Sequence, residues 1–224
     1  MDERIAFKNK FEEKIKHKRE NSSDKDLIVK KGQNYEDVYV IDRGHVKVVE
    51  KNDDGNERVL LILKRGEAFP LIWAFDDPCE TVYDYVSIGE TSMLKCSLLD
   101  FKHALSSDSA FTKASMEMFV HLTWDALERI KSLQMPFTYE KLLRLLPYVA
   151  TKIGNKISEH EFKIPNSFTQ QDMANLLGTS RESISAHFQK AVSKGIIRKS
   201  TGGKIFNLKE VPSSFIYTRW FKEN

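Results

Sequence analysis

A chain of 224 residues can form one large domain or two small ones, each with its own core, and two is the expectation. Its opening MDERIAFKNKF is charged throughout, and no apolar run approaches the roughly 18 residues a membrane helix needs, so neither signal peptide nor span is predicted and the expected location is the cytoplasm. Cys79 and Cys96 cannot build a disulfide framework, and the histidines show neither HxH nor HExxH spacing, which removes the usual zinc-enzyme readings.

The net charge of +3 hides an asymmetry. Residues 1 to 137 hold 21 Lys and Arg against 25 Asp and Glu, whereas residues 138 to 224 hold 14 against 7. Positive charge concentrated in the final third is the footprint of a nucleic-acid-binding domain, because phosphate neutralisation supplies the sequence-independent part of affinity.

At the N-terminus, Ile5, Phe11 and Ile15 among many charges predict a short amphipathic helix with no function assigned to its lysines. From Leu27 to Ser97, runs rich in Val, Ile and Tyr, punctuated by Gly32, Gly44, Gly55, Gly66 and Gly89, predict an antiparallel β-barrel. Within it, turns are expected at Asp42, Arg43 and Gly44 and at NDDGN, Asn52 to Asn56. No repeat of fixed period points to a solenoid or propeller.

Residues 108 to 134 change to helical spacing, with Phe111, Met116, Phe119, Val120, Ala126, Leu127, Ile130 and Leu133 forming one wide apolar face. A helix of about 26 residues spans roughly 40 Å. That surface exceeds what a small barrel covers, so pairing with a second copy is expected, the alternative being a helix lying wholly against its own barrel. Pro136 makes Gln134 to Phe137 a hinge, and a further helix is predicted from Thr138 to about Thr151. The expected domains are therefore residues 1–136, a sensory barrel with its dimerisation helix at about 108–134, and residues 137–224.

The second domain carries the informative stretch, FTQQDMANLLGTSRESISAHFQKAVSKGIIRKS, residues 168 to 200. Thr169 can cap a helix with Asp172 three positions on, and Gly178 ends that helix. Thr179, with Glu182 at the capping-box position, is the expected start of a second helix, whose apolar side is Ile184, Phe188, Ala191 and Val192. GIIRKS and KIFNL around Thr201, Gly202 and Gly203 follow as a strand-turn-strand wing.

In a helix-turn-helix the second helix puts its N-terminal residues into the major groove, where arginine can donate twice to guanine and a carboxylate can accept from cytosine. Arg181, Glu182, Ser185 and Gln189 are the expected base readers. Thr169, Gln170, Thr179 and Ser180 at the helix starts, with Lys199 and Lys204 in the wing, are the expected backbone contacts. The alternative is that Arg181 and Glu182 merely decorate a first turn, Glu182 being explained by capping.

With barrel, long helix, hinge and winged helix in this order, the chain resembles the family of the cyclic-AMP receptor protein and the fumarate-and-nitrate-reduction regulator. The resemblance covers essentially the whole chain and is firmest at GTSRESIS, Gly178 to Ser185, where the family's Arg-Glu pair falls on Arg181 and Glu182. Gly32, Gly44, Gly55 and Gly66 align as well. It implies an α+β fold, with an N-terminal antiparallel β-barrel like a cyclic-nucleotide-binding domain, a long dimerisation helix and a C-terminal winged helix-turn-helix. It also implies a homodimer on double-stranded DNA, with RNA polymerase as a further partner.

The departures from that family bear on control. Its cyclic-nucleotide contacts, a Gly-Glu pair and an Arg-Ser pair, align with Pro70-Leu71 and Thr81-Val82, which supply neither a ribose acceptor nor a guanidinium for the phosphate. Cyclic-nucleotide binding is therefore not expected. Nor is an iron–sulfur cluster, since no cysteine precedes Cys79, and no cofactor is predicted. The equivalent pocket holds Phe69, Pro70, Leu71, Ile72, Trp73, Phe75, Thr81, Tyr83 and Tyr85, which read equally as an apolar effector site and as a filled core. Control by protein level alone is the corresponding alternative.

A second departure is Ala186, four residues after Glu182, where the family usually has another arginine. The other function class is a cupin-like metal enzyme. It is disfavoured, because His45 alone does not supply the clustered ligands such chemistry needs. A scaffold that has lost DNA binding is opposed by the Arg181-Glu182 pair and the basic C-terminal third.

Overall fold

The computed structural model describes residues 2–34, 36–52, 55–70 and 80–216. The chain forms two compact units, Met1–Asn52 with Leu61–Trp124, and Asp53–Leu60 with Asp125–Asn224.

The first unit opens with helix α1, Glu3–Lys14, capped by Asp2, whose carboxylate accepts from the Arg4 N–H at 3.0 Å. Its buried face is Phe7, Phe11 and Ile15, one residue every four, and Ile5 lies half-buried beside it. Arg4 and Lys8 are buried too. They pair with Glu67 at 3.6 Å and with Asp42 at 3.0 Å, which binds the helix to the sheet.

The strands that follow are β1 (Lys18–Ser22), β2 (Leu27–Val29), β3 (Asp37–Lys51), β4 (Glu57–Lys64), β5 (Ala68–Phe69) and β6 (Asp84–Ser97). They form one sheet in the order β1-β6-β3-β4, with β2 joined to β6 and β5 to β3. This bears out the mixed helix and antiparallel sheet expected from the sequence.

The turn expected at Asp42, Arg43 and Gly44 is instead part of β3. That strand continues through these residues and stays paired with β6, its register shifting on either side of Arg43. The extra residue is absorbed as a bulge rather than by reversing the chain. Gly44 is required there, because φ is +85° and a Cβ would lie 2.5 Å from the Glu90 carbonyl oxygen. Of the NDDGN turn between β3 and β4, Asp53 and Asp54 lie outside the described residues.

Helix α2, Leu98–Ser107, was not apparent from the sequence. Ser97 caps it by accepting from the Asp100 N–H at 3.0 Å. Helix α3, Ser109–Leu133, matches its expected span. Its apolar residues do not share one face, however. Phe111, Ala114 and Met118 enter a core with Phe7, Phe11, Val38, Val40 and Phe101, whereas Met116, Val120, Leu127, Ile130 and Leu133 remain exposed.

In the second unit, helix α4 spans Thr138–Ile153, two residues past its expected end. Strands β7 (Asn155–Lys156) and β8 (Glu161–Pro165), helices α5 (Gln170–Leu177) and α6 (Arg181–Ser193), and strands β9 (Ile197–Ser200) and β10 (Gly203–Asn207) complete it. The sheet runs β7-β8-β10-β9, so the expected two-stranded wing is half of a four-stranded sheet. β8 was missed because Phe162 and Ile164 alternate over too few residues to stand out. Arg129, buried at the C-terminal end of α3, donates to the carbonyl oxygen of Leu176 and to Ser132 Oγ at 3.0 Å.

Candidate nucleic-acid interface

Helix α5 begins with a complete capping box. The Asp172 N–H donates to Thr169 Oγ1 at 3.2 Å, and the Asp172 carboxylate accepts from the Thr169 N–H at 2.9 Å. It ends at Gly178 in the left-handed conformation, φ 64° and ψ 36°, as the Gly position predicts. Met173, Ala174, Leu176 and Leu177 are buried. The turn to α6 is therefore short and fixed at both ends.

The cap of α6 is a correction to the expected one. Ser180, not Thr179, precedes the helix, and its hydroxyl accepts from the Ser183 N–H at 3.1 Å. Thr179 instead donates its N–H to the Ala174 carbonyl at 3.1 Å, closing the end of α5. Glu182 thus lies one position short of a capping box and is not explained by that role. Its own backbone N–H, then the Ser180 side chain, hold its carboxyl below the usual range.

Ile184, Phe188 and Ala191 bury one side of α6, which leaves Arg181, Glu182, Ala186 and Gln189 exposed and Ser185 half-buried beside them. Thr169, Gln170 and Thr179 are half-buried at the helix starts, and Ser180 is exposed. In the wing, Thr201 and Gly202 form a two-residue loop, since Ser200 faces Gly203 across the pair. Lys199 faces Lys204 in the next register position, two like charges directly opposite. Lys199 is exposed. Lys204 is half-buried, donates to the Phe168 carbonyl at 3.3 Å, and has its pKa pulled down by that burial.

A basic group that the sequence reading passed over lies on the flank of α6. Lys190 Nζ stands 4.3 Å and Lys194 Nζ 5.5 Å from the ring centroid of Tyr139, at the start of α4, and the His187 ring is 5.8 Å from the same ring. The i, i+3, i+7 spacing of 187, 190 and 194 marked one helical face, but nothing in the sequence placed Tyr139 against it.

The expected effector pocket is described in part. Phe69 is 1% exposed and stacks between Tyr39, at 5.3 Å and 16°, and Tyr85, at 5.1 Å and 17°. Tyr83 packs against the same core. Thr81 is buried, donating its hydroxyl to the Lys30 carbonyl at 2.7 Å. Leu71, Ile72, Trp73 and Phe75 lie outside the described residues. Among the described residues no three His, Cys, Asp or Glu side chains converge as a metal site, and no helix is long and apolar enough to cross a membrane.

Residues 19–108 match the family model of the cyclic nucleotide-binding domain, and residues 140–210 match that of the Crp-like helix-turn-helix domain. No curated protein matches the chain in sequence. Among solved structures, FixK2 from Bradyrhizobium japonicum is 15% identical, over 91% of this chain and 98% of its own, with a TM-score of 0.75. A transcriptional regulator of the CRP family from Thermus thermophilus is 15% identical over 91% and 95%, TM-score 0.70. A CooA mutant from Carboxydothermus hydrogenoformans is 18% identical over 89% and 88%, TM-score 0.69. These structures share the fold, and the two domain models, in this order, carry the assignment: the chain belongs to the family of the cyclic-AMP receptor protein and the fumarate-and-nitrate-reduction regulator, transcription regulators with a DNA-binding helix-turn-helix.

Proposed function

We propose that the protein acts in the cytoplasm as a homodimer on an inverted-repeat operator, with Arg181, Glu182, Ser185 and Gln189 reading base edges. The observation that carries this reading is the outward projection of Arg181, Glu182 and Gln189 from a helix whose other side is buried and whose first turn is capped by Ser180. Thr169, Gln170, Thr179, Ser180, Lys199 and Lys204 surround that helix as backbone contacts. The facing Lys199 and Lys204 support this assignment, because an intervening phosphate would relieve their repulsion.

Dimerisation is supported by the exposed stripe of α3. Met116, Val120, Thr123, Leu127 and Ile130 follow one another in steps of four and three, the 3.5-residue period of a coiled-coil seam. An isologous pair through this stripe would present two recognition helices about 34 Å apart, one turn of DNA. Residues 1–136 then serve as the barrel and dimerisation unit and 137–224 as the DNA-binding unit, with RNA polymerase the further partner at a promoter.

Control does not pass through a cyclic nucleotide. Pro70 and Thr81 occupy the contact positions, Thr81 spends its hydroxyl on Lys30, and the Tyr39-Phe69-Tyr85 stack occupies the core beside them. The stack favours control by protein level over an apolar effector. Selection of duplexes from random DNA, with sedimentation of the free and bound protein, tests the proposal. An enriched inverted repeat bound by two copies is expected, and enrichment of no sequence would overturn it.

A further inference from the structure

The geometry points to a second phosphate-binding element, formed by Lys190 and Lys194 over the Tyr139 ring, that grips the DNA backbone bordering the groove entered by α6. This inference rests on the DNA-binding reading above. It adds Tyr139 of α4, Lys190 of α6 and the C-cap residue Lys194, which neither base reading nor the wing uses.

Lys190 lies in the last turn of α6 and Lys194 is the C-cap residue that ends it, four positions on, a separation at which like charges repel. Both ammonium groups nevertheless converge on one ring, at 4.3 and 5.5 Å from its centroid, within reach of its negative face. Among the described residues neither has a carboxylate within ion-pair distance. The other exposed lysines of α1 and α3 do pair, Lys10 with Glu13, Lys113 with Glu117 and Lys131 with Glu128. The Lys190 and Lys194 charges are therefore gathered and left unneutralised, the condition of a site awaiting an anion.

Position selects the anion. Gln189 and Ala186 lie on the exposed face of α6, and Lys190 follows Gln189 by 100° around the helix, on its flank. A helix about 10 to 12 Å across in a major groove about 12 Å wide presents its flanks to the groove walls, which are sugar and phosphate. Tyr139 gathers both ammonium groups before binding, so less side-chain freedom is lost when a phosphate is met.

The test is the salt dependence of binding to a selected duplex and to a random one, followed by fluorescence anisotropy. Each phosphate contact contributes about 0.9 to the slope of log affinity against log salt. Lys190→Gln/Lys194→Gln should therefore flatten the slope by about two per protomer while keeping the preference for the selected duplex. Tyr139→Phe should leave the slope as it is, and Tyr139→Leu should weaken both duplexes alike. An unchanged slope in the double variant, with wild-type protein binding normally, would overturn the phosphate assignment alone. Wild-type protein that binds no duplex would overturn the DNA-binding reading itself.

Discussion

Lys152 Nζ lies 2.5 Å from Asp125 Oδ2, and the two side chains are 2% and 4% exposed. The pair joins the end of α4 to α3 inside the second unit, where water cannot screen either charge. Removing one partner deprives the other of its buried counterion. Lys152→Met should therefore cost about 3 to 5 kcal/mol in urea unfolding. Asp125→Leu combined with Lys152→Met should cost less than Lys152→Met alone, and equal losses would show that the pairing is not what matters.

The exposed stripe of α3 makes a separate prediction. Val120 and Leu127 are 47% and 43% exposed, so Val120→Glu/Leu127→Glu should leave each subunit folded and place like charges along the seam. Sedimentation at micromolar concentration should then give a monomer with lower affinity for the inverted repeat. A dimer that persists would move the interface elsewhere.

Acid should act through Asp84. Burial alone would raise its carboxyl, but the Lys31 N–H at 2.8 Å and the Lys51 ammonium at 3.0 Å outweigh this and hold it below the usual range. A lowered folded pKa gives stability that is present above the unfolded value of about 3.9 and is lost as pH falls through the folded value. Asp84→Asn should thus be less stable than wild type near neutrality, with the gap closing below about pH 4. A gap that stayed constant to about pH 3 would mean that the charge of Asp84 contributes nothing.

What the sequence made legible was local chemistry. The Thr169-Asp172 capping box and the Gly178 stop depend on residues a few positions apart, and the structure holds them as expected. The misjudged elements depended on distant partners. Asp42, Arg43 and Gly44 have turn composition, but β6 pairs with β3 on both sides of them, from Asp37 to Val49, and turns the glycine into a bulge. The long helix shows a single broad apolar face in its spacing, and the core beneath the sheet of the first unit divides it by claiming Phe111 and Met118 while leaving Met116 and Val120 outside. Tyr139 is 51 residues from Lys190, beyond any periodic signal.

In the first unit, the Tyr39-Phe69-Tyr85 stack predicts that cyclic AMP at physiological concentration gives no binding heat and leaves DNA affinity unchanged. Phe69→Ala should cost about 3 to 5 kcal/mol, because the space left between the two flanking rings cannot fully close. Micromolar binding by calorimetry would show that the pocket is open.

The recognition helix makes the most specific prediction. Ser180 supplies the cap and Ile184, Phe188 and Ala191 supply the packing, so the exposed Arg181 side chain contributes to neither. Arg181→Ala should therefore keep its thermal midpoint. If Arg181 donates twice to a guanine, the substitution should cost about 1 to 3 kcal/mol per half-site and relax preference at one base pair. Lys199→Ala should instead weaken every sequence alike and flatten the salt dependence. Lys204→Ala differs from both, since the ammonium also ties β10 to the Phe168 carbonyl, and its loss should lower stability as well as affinity. Binding of the three variants to the selected operator and to its single-base changes separates these roles. An Arg181→Ala protein with wild-type sequence preference would remove direct readout by this residue.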